Sequence, residues 1–272
     1  MQYSTRRQHA IDDDNGVLRL RTGEPALLYL PGWCGGREVF SPLLARTAET
    51  RRSVSVDWRG HGESPGPGLD FGTDELIEDA IELIDNLQLD QVVPVALSHA
   101  GWVALELRRK LGAERIPAVV LLDWMPLGPP PGFAEALQAL QDPEEWSATR
   151  AQLFGLWRAG VDRPDVLQYI ESMSAYGFPM WSRAGREILQ SFAAQPTPLA
   201  EFAALAASGS PCPTAHLYAQ PRDDSYLSAQ QAFAAEHDWF HVHRLSANSH
   251  FPCLEVPAES AAAISNFLAG VE

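Results

Sequence analysis

The sequence predicts an α/β protein with a mostly parallel central sheet and an inserted helical cap. Short apolar runs alternate with segments whose apolar residues have helical spacing, which is typical of a parallel sheet covered by helices. The alternation stops between about 126 and 210, where helical segments follow one another without strands, and it resumes at Thr214. We therefore expect a sheet domain formed by residues 1–125 and 211–272, and a helical cap formed by residues 126–210.

Strands are predicted where short apolar and β-branched runs lie between turn signals. Continuous apolar runs such as Ala26–Leu30 are typical of strands that helices cover on both faces. The first strand is short, is expected to be antiparallel, and precedes a tight turn at 22–25. In chain order the predicted strands are Leu18–Arg21, Ala26–Leu30, Ser53–Asp57, Val92–Leu97, Ala118–Leu122, Thr214–Ala219 and Phe240–Leu245.

Helices are predicted where apolar residues recur every three or four positions. Those of the cap carry several aromatic residues, most of which we expect to form the cap's own core, with one or two facing the sheet. The predicted helices are Phe40–Thr50, Thr73–Leu87, one starting at Trp102, Phe133–Leu140, Glu144–Ala159, Arg163–Ala175, Ser182–Ala207, one starting near Leu227, and Ala258–Leu268.

Composition and charge exclude several classes of protein. The chain of 272 residues is 46% hydrophobic and 20% charged, and its formal net charge of −15 repels nucleic acids and anionic membranes. The longest apolar stretch, Ile116–Leu122, is too short to cross a bilayer, and residues 1–16 lack the apolar core of a signal peptide. The three cysteines show no disulfide framework. We expect a cytoplasmic monomer or weak homodimer that binds neither nucleic acid nor membrane.

Ser98 lies at a sharp turn between a predicted strand and a predicted helix. This arrangement resembles the nucleophile elbow of α/β-hydrolase folds, in which small residues two before and two after the serine prevent clashes. Here those residues are Ala96 and Ala100, followed by Gly101, so the chain meets the steric requirement without the Gly-x-Ser-x-Gly motif. The alternative is that Ser98 only caps the helix.

Ser98, Asp123 and His250 follow predicted strands in the order serine, acid, histidine, which is the α/β-hydrolase order. Ligands bind beyond the carboxyl ends of parallel strands, so these side chains should meet there. Asp223 and Asp224 are alternative candidates for the acid, because they follow the next strand, where many hydrolases place their catalytic acid. We favour Asp123, since its apolar surroundings predict burial and a buried carboxylate without a partner is costly. Asp223 and Asp224 lie in a segment whose residue types are typical of a solvated turn.

Two backbone N–H groups are candidates for an oxyanion hole. One belongs to His99, directly after the serine, and the other to the glycine-rich loop that contains Gly32 and Trp33. The segment Asp57–Gly62 is expected to shape and pin a loop rather than to perform chemistry.

Metal binding is not expected. His241 and His243 share one face of a predicted strand, but no acidic or cysteine companion lies at a suitable spacing. The sequence has no binding motif for a flavin either.

The chain resembles the cofactor-free ring-cleaving dioxygenases of 3-hydroxy-4(1H)-quinolones, an offshoot of the α/β-hydrolase superfamily. The resemblance covers nearly the whole chain, and its most specific features are Pro-Gly-Trp-Cys, Ser-His-x-Gly-Trp and the cap tryptophan. Leu97 and Gly35 depart from it, because members can carry a histidine and a polar residue there. The resembling stretches are Leu30–Cys34, Trp58–Gly62, Ser98–Val103, Asp123–Trp124, Leu153–Trp157, Tyr176–Trp181 and His250–Pro252.

This resemblance implies that His250, oriented by Asp123, removes the proton of the substrate's 3-hydroxyl group as a general base. The anion would react with O₂ directly, and the ring would open to an N-acylanthranilate and carbon monoxide without metal or flavin. The 2-substituent stays open, from hydrogen or methyl to the heptyl chain of a bacterial quinolone signal. The other implied contacts are a hydrogen bond from Ser98, backbone N–H groups of Trp33 and His99, and a ring contact from Trp157.

Two other functions are compatible with the same residues. A serine hydrolase, such as an esterase, lactonase or amidase, would use Ser98 as its nucleophile, and residue order alone does not separate the two chemistries. A ligand receptor would close its cap on a small molecule without turnover.

Overall fold

The computed structural model describes residues 25–271, together with the backbone of two short strands at 11–12 and 18–19. The described strands are β1 (Ile11–Asp12), β2 (Leu18–Arg19), β3 (Ala26–Leu30), β4 (Ser53–Ser55), β5 (Val92–Leu97), β6 (Val119–Leu122), β7 (Thr214–Tyr218) and β8 (Phe240–Arg244). Six of them form one parallel sheet in the order β4-β3-β5-β6-β7-β8, and β1 and β2 form a separate antiparallel pair.

The central strands are buried along their whole length. Every residue of β3, β5, β6 and β7 is buried, whereas the edge strand β8 alternates between buried and more exposed residues. A parallel sheet needs cover on both faces, because βαβ connections place helices there. The apolar runs of the sequence thus supply the middle layer of an α/β sandwich, whose strands end together at one edge.

Helices cover this sheet and continue in a block of their own between β6 and β7. The helices that follow sheet strands are α1 (Ser41–Thr47), α2 (Thr73–Asn86), α3 (Ala100–Arg115), α9 (Asp224–Glu236), α10 (Pro252–Glu255) and α11 (Pro257–Ala269). The block between β6 and β7, here called the cap helices, comprises α4 (Phe133–Ala139), α5 (Trp146–Trp157), α6 (Pro164–Ser172), α7 (Phe178–Ala194) and α8 (Ala200–Ala207).

The predicted fold class is confirmed, and the differences in element bounds have local causes. The long helix predicted over 182–207 is two helices, because Pro196 and Pro198 lie between α7 and α8 and proline cannot continue a helix. The strand predicted over 53–57 ends at Ser55. Of the predicted strand Leu18–Arg21, the first two residues are observed, and the turn at 22–25 lies outside the described residues except for Pro25. The division of domains at 126 and 210 stays a prediction.

Within residues 25–271, no helix has both the length and the apolar character needed to cross a bilayer.

Candidate active site

His250 and Asp123 form a hydrogen-bonded pair beyond the ends of the strands. The imidazole Nδ1 lies 2.8 Å from Asp123 Oδ1, and the other carboxylate oxygen accepts the backbone N–H groups of Ala219 (2.7 Å) and Gln220 (3.0 Å). The Asp123 side chain is 2% exposed and that of His250 is 15% exposed. An ionised carboxylate only accepts hydrogen bonds, so it selects the Nδ1–H tautomer. Within residues 25–271 the ring makes this one hydrogen bond, which leaves Nε2 as a base open to the site.

Side chains of His216 and Tyr226 hold the backbone that follows Asp123 by bonding the N–H and the carbonyl of Trp124. Asp123 has a left-handed φ of 44°, a strained conformation for most residues. The N–H of Trp124 donates to His216 Nε2 at 3.2 Å, and its carbonyl accepts the Tyr226 hydroxyl at 2.8 Å. The other ring nitrogen of His216 bonds the Gln230 side chain, and burial lowers the pKa of His216 to about 4. His216 therefore stays a neutral acceptor that fixes the acid.

Ser98 has the strained backbone of a nucleophile elbow. Its φ is 55°, and its N–H donates to the Leu122 carbonyl at 2.9 Å. Two glycines make room for this turn. A Cβ on Gly32 would lie 3.2 Å from the Ser98 Cβ, and one on Gly101 would lie 2.4 Å from the Trp124 ring. The elbow thus needs its glycine at 101, one position beyond the usual motif.

The glycine-rich loop after β3 is pinned by side chains that follow β4. Cys34 has a φ of 59°, and its N–H donates to His61 Nε2 at 3.0 Å, while His61 Nδ1 lies 3.1 Å from the Arg59 carbonyl. Burial lowers the pKa of His61 to about 4, so its ring remains a neutral acceptor. The Trp58 indole N–H donates to the Pro31 carbonyl at 2.6 Å. These contacts give this segment the loop-shaping role that the sequence predicted.

The side chains of Trp33 and His99 are buried, so what they offer the site is chiefly their backbone. The Trp33 ring stacks on Phe71 with a centroid distance of 5.7 Å and lies 6.2 Å from the His99 ring. Neither backbone N–H donates a hydrogen bond to any residue in 25–271. With Gly32 seated against Ser98, both N–H groups flank the elbow without a partner, as an oxyanion hole requires.

Trp157 reaches the site from the cap helices and lies against the base. Its ring stacks on the His250 ring, with centroids 5.2 Å apart and planes inclined by 13°. Phe251 packs edge-on against Trp157 at 5.6 Å. The resemblance implies that Trp157 contacts the substrate ring, which stays a prediction, and the structure adds that Trp157 stacks on the imidazole.

The rival acids are engaged elsewhere. Asp223 caps α9, where it accepts the N–H of Tyr226 at 2.8 Å. Asp224 is 90% exposed and pairs with Arg244 at 2.9 Å. The structure therefore brings Asp123, and neither rival, to His250.

The described residues contain no group of three or more His, Cys, Asp or Glu side chains that could hold a metal ion. His243, one of the two strand histidines considered above, lies 3.6 Å from Glu259 at the surface.

Sequence reasoning did not single out His216, although a signal exists. It lies in the middle of a strand that is buried throughout, and a buried imidazole needs hydrogen-bond partners. The hydrogen bond between the side chains of Thr73 and Glu187 has no comparable signal, because these residues lie 114 positions apart in the sequence.

Residues 27–263 match the alpha/beta hydrolase family. The 2-heptyl-3-hydroxy-4(1H)-quinolone dioxygenase of Mycobacteroides abscessus is 38% identical over 247 residues, which are 90% of this chain and 91% of that protein. The 1H-3-hydroxy-4-oxoquinoline 2,4-dioxygenase of Pseudomonas putida is 35% identical over 245 residues, covering 90% and 91%. A solved structure of an AqdC variant with its substrate, described as recognising and ring-cleaving the Pseudomonas quinolone signal, is 38% identical. It has a TM-score of 0.85 and covers 92% of this chain and 93% of its own.

Proposed function

We propose that this chain, which belongs to the alpha/beta hydrolase family and within it to the 3-hydroxy-4-quinolone dioxygenases, cleaves the heteroring of 2-alkyl-3-hydroxy-4(1H)-quinolones with O₂. The products are an N-acylanthranilate and carbon monoxide. The observation that carries this function is the His250–Asp123 pair, whose free Nε2 lies in a site built around a hydrolase elbow.

The first step is removal of the 3-hydroxyl proton by His250 Nε2. The imidazolium that forms donates Nδ1–H to Asp123, 2.8 Å away, and lies against the face of Trp157. A carboxylate and an aromatic face both stabilise a cation, so they favour the proton transfer. A positioned base of this kind contributes about 10²- to 10⁴-fold.

The ionised substrate then supplies the electrons that O₂ accepts. One oxygen atom bonds to C2, and the peroxide attacks the C4 carbonyl, whose oxygen becomes an anion. The N–H groups of Trp33 and His99 are the donors available for that charge, because neither has a partner among the described residues. Collapse of this peroxide-bridged intermediate breaks the O–O bond and both ring bonds to C3. C3 leaves with its oxygen atom as carbon monoxide. C2 becomes the amide carbonyl and C4 the carboxylate.

The cysteines bear on the location of the protein. Cys34, Cys212 and Cys253 are all buried and free, which is typical of proteins from a reducing compartment and supports a cytoplasmic location. The monomeric or weakly dimeric state stays a prediction.

Anaerobic mixing tests the reaction. The protein is mixed without O₂, in the presence of a chelator, with the 2-methyl and the 2-heptyl substrate in separate samples, and air is then admitted. We expect no turnover before air, and afterwards one O₂ consumed and one carbon monoxide released per substrate. Turnover in the sealed samples, or no turnover with either substrate after air, would contradict the proposal.

Replacing Ser98 with alanine separates this function from serine hydrolysis. In the ring cleavage Ser98 contributes a hydrogen bond to substrate, so we expect Ser98→Ala to keep a substantial rate, roughly a tenth of the wild-type rate. Hydrolysis of an activated ester through an acyl-serine would be abolished by the same change. Oxygen uptake and ester hydrolysis are measured on the same preparations, and equal loss of both would favour the hydrolase.

A further inference from the structure

A second chain of hydrogen bonds joins a carboxylate to an imidazole beside the elbow. His99 Nε2 lies 3.0 Å from the Thr73 hydroxyl, and that hydroxyl lies 3.1 Å from Glu187 Oε2. The same carboxylate oxygen accepts the backbone N–H of Thr73 at 2.7 Å. His99 and Glu187 are buried, and Thr73 begins α2. The cap helix α7 is thereby connected to the residue that follows Ser98.

The protons in this chain have one consistent arrangement. Glu187 accepts two hydrogen bonds from Thr73 and one from Arg186 Nε at 2.9 Å, so it acts as a carboxylate. The Thr73 hydroxyl therefore gives its single proton to Glu187 and must accept from His99. His99 consequently carries its proton on Nε2, and burial lowers its pKa to about 3, which keeps the ring neutral. Its Nδ1 is a buried acceptor with no partner among the described residues.

The neighbouring backbone is shaped to admit the carboxylate. A Cβ on Gly72 would lie 2.4 Å from Glu187 Oε2, so only glycine allows Glu187 this close to the first turn of α2. The preceding residue, Phe71, stacks on Trp33. Residues 71–73 thus contact the side chains of both residues that supply the unpartnered N–H groups.

We propose that Thr73 and Glu187 are positioning residues for the ring cleavage, because they hold His99 in one orientation and one tautomer and so fix the two oxyanion-hole N–H groups. The assignment rests on the proposed function for its kinetic consequence. The tautomer of His99, however, is a property of the folded protein and does not depend on turnover.

Thr73→Val tests this role, because valine keeps the shape of threonine and removes the hydroxyl. We expect kcat to fall roughly tenfold with KM within about twofold, since misplaced donors weaken transition-state stabilisation more than binding. In ¹⁵N-histidine NMR spectra, the Nε2–H signature of His99 should be present in the wild type and lost or mixed in the variant. Thr73→Ser keeps a hydroxyl and should restore both kcat and the signature.

Asp70→Asn is the matched control for cap docking. Asp70 accepts hydrogen bonds from Arg183 (2.9 Å) and Arg186 (2.7 Å) of α7. Removing its charge therefore weakens the attachment of α7 to the segment before α2 without altering a contact of His99. We expect wild-type kcat in this variant. If Thr73→Val does not fold, Glu187→Gln takes its place and should lower kcat in the same direction.

Three results would overturn the assignment: wild-type kcat in both Thr73→Val and Glu187→Gln, an equal loss in Asp70→Asn, or an unchanged His99 signature in Thr73→Val. If the wild type has no dioxygenase activity, the proposed function fails on its own. The NMR comparison still decides whether Thr73 sets the tautomer.

Discussion

Replacing His250 with alanine is expected to lower the rate of ring cleavage at pH 7 by about 10²- to 10⁴-fold. The imidazole makes the reactive species, because only the ionised substrate transfers electrons readily to O₂. Its loss also leaves Asp123 buried without the donor it pairs with at 2.8 Å. Initial rates of oxygen uptake, with product analysis for carbon monoxide, measure the effect.

The pH dependence of His250→Ala identifies the step that is lost. Without a base in the site, the reaction depends on substrate that has ionised in solution, so the rate should rise about tenfold per pH unit until the 3-hydroxyl is fully ionised. His243→Ala removes a surface imidazole that is 53% exposed, and should leave the wild-type profile unchanged. A residual rate that does not rise with pH would show that His250 does more than remove this proton. Wild-type activity at pH 7 would exclude it as the base.

The three residues at the strand ends could be predicted because topology alone brings them together. Ser98, Asp123 and His250 each follow a strand of one parallel sheet, and the carboxyl ends of such strands share an edge. The choice of Asp123 could also be made from the sequence. An apolar run ending in a carboxylate predicts burial with partners, and the structure supplies two N–H groups from Ala219 and Gln220.

Contacts between the cap helices and the sheet could not be predicted in this way. The stacking of Trp157 on His250 and the bonds from Glu187 to Thr73 depend on how two sets of elements pack. Periodicity reports which face of a helix is apolar, but not which side chain of another element that face meets. Sequence reasoning therefore did not connect Trp157 with His250, and it left Glu187 out. His216 was missed for a related reason, since its burial in a strand shows that it needs partners but not which side chains of other elements supply them.

Acidification is expected to destabilise the folded protein from about pH 6.5 downwards, before most of its carboxylates take up protons. Burial lowers the pKa of His61 and His216 to about 4 and that of His99 to about 3, whereas an unfolded chain has histidines near 6.5. The unfolded state therefore binds up to three more protons as the pH falls from 6.5 towards 4, and the folded state loses stability over that window. Near pH 5 the slope should approach about 4 kcal/mol per pH unit. A total loss on the order of 10 kcal/mol would match the whole stability of a typical domain.

Urea unfolding curves recorded between pH 8 and pH 5 measure this slope. Glu38 and Glu201, whose pKa values burial raises, take up protons earlier in the folded chain and offset part of the loss near the acid end. His216→Gln removes one of the three titrations and should reduce the slope by about a third. His243→Gln changes an exposed imidazole and should not alter it. A free energy of unfolding that stays constant from pH 7 to pH 5 would mean that the buried rings are already charged in the folded protein. In that case His61 could not be the neutral acceptor that fixes the glycine-rich loop, and His216 could not be the one that fixes the backbone next to Asp123.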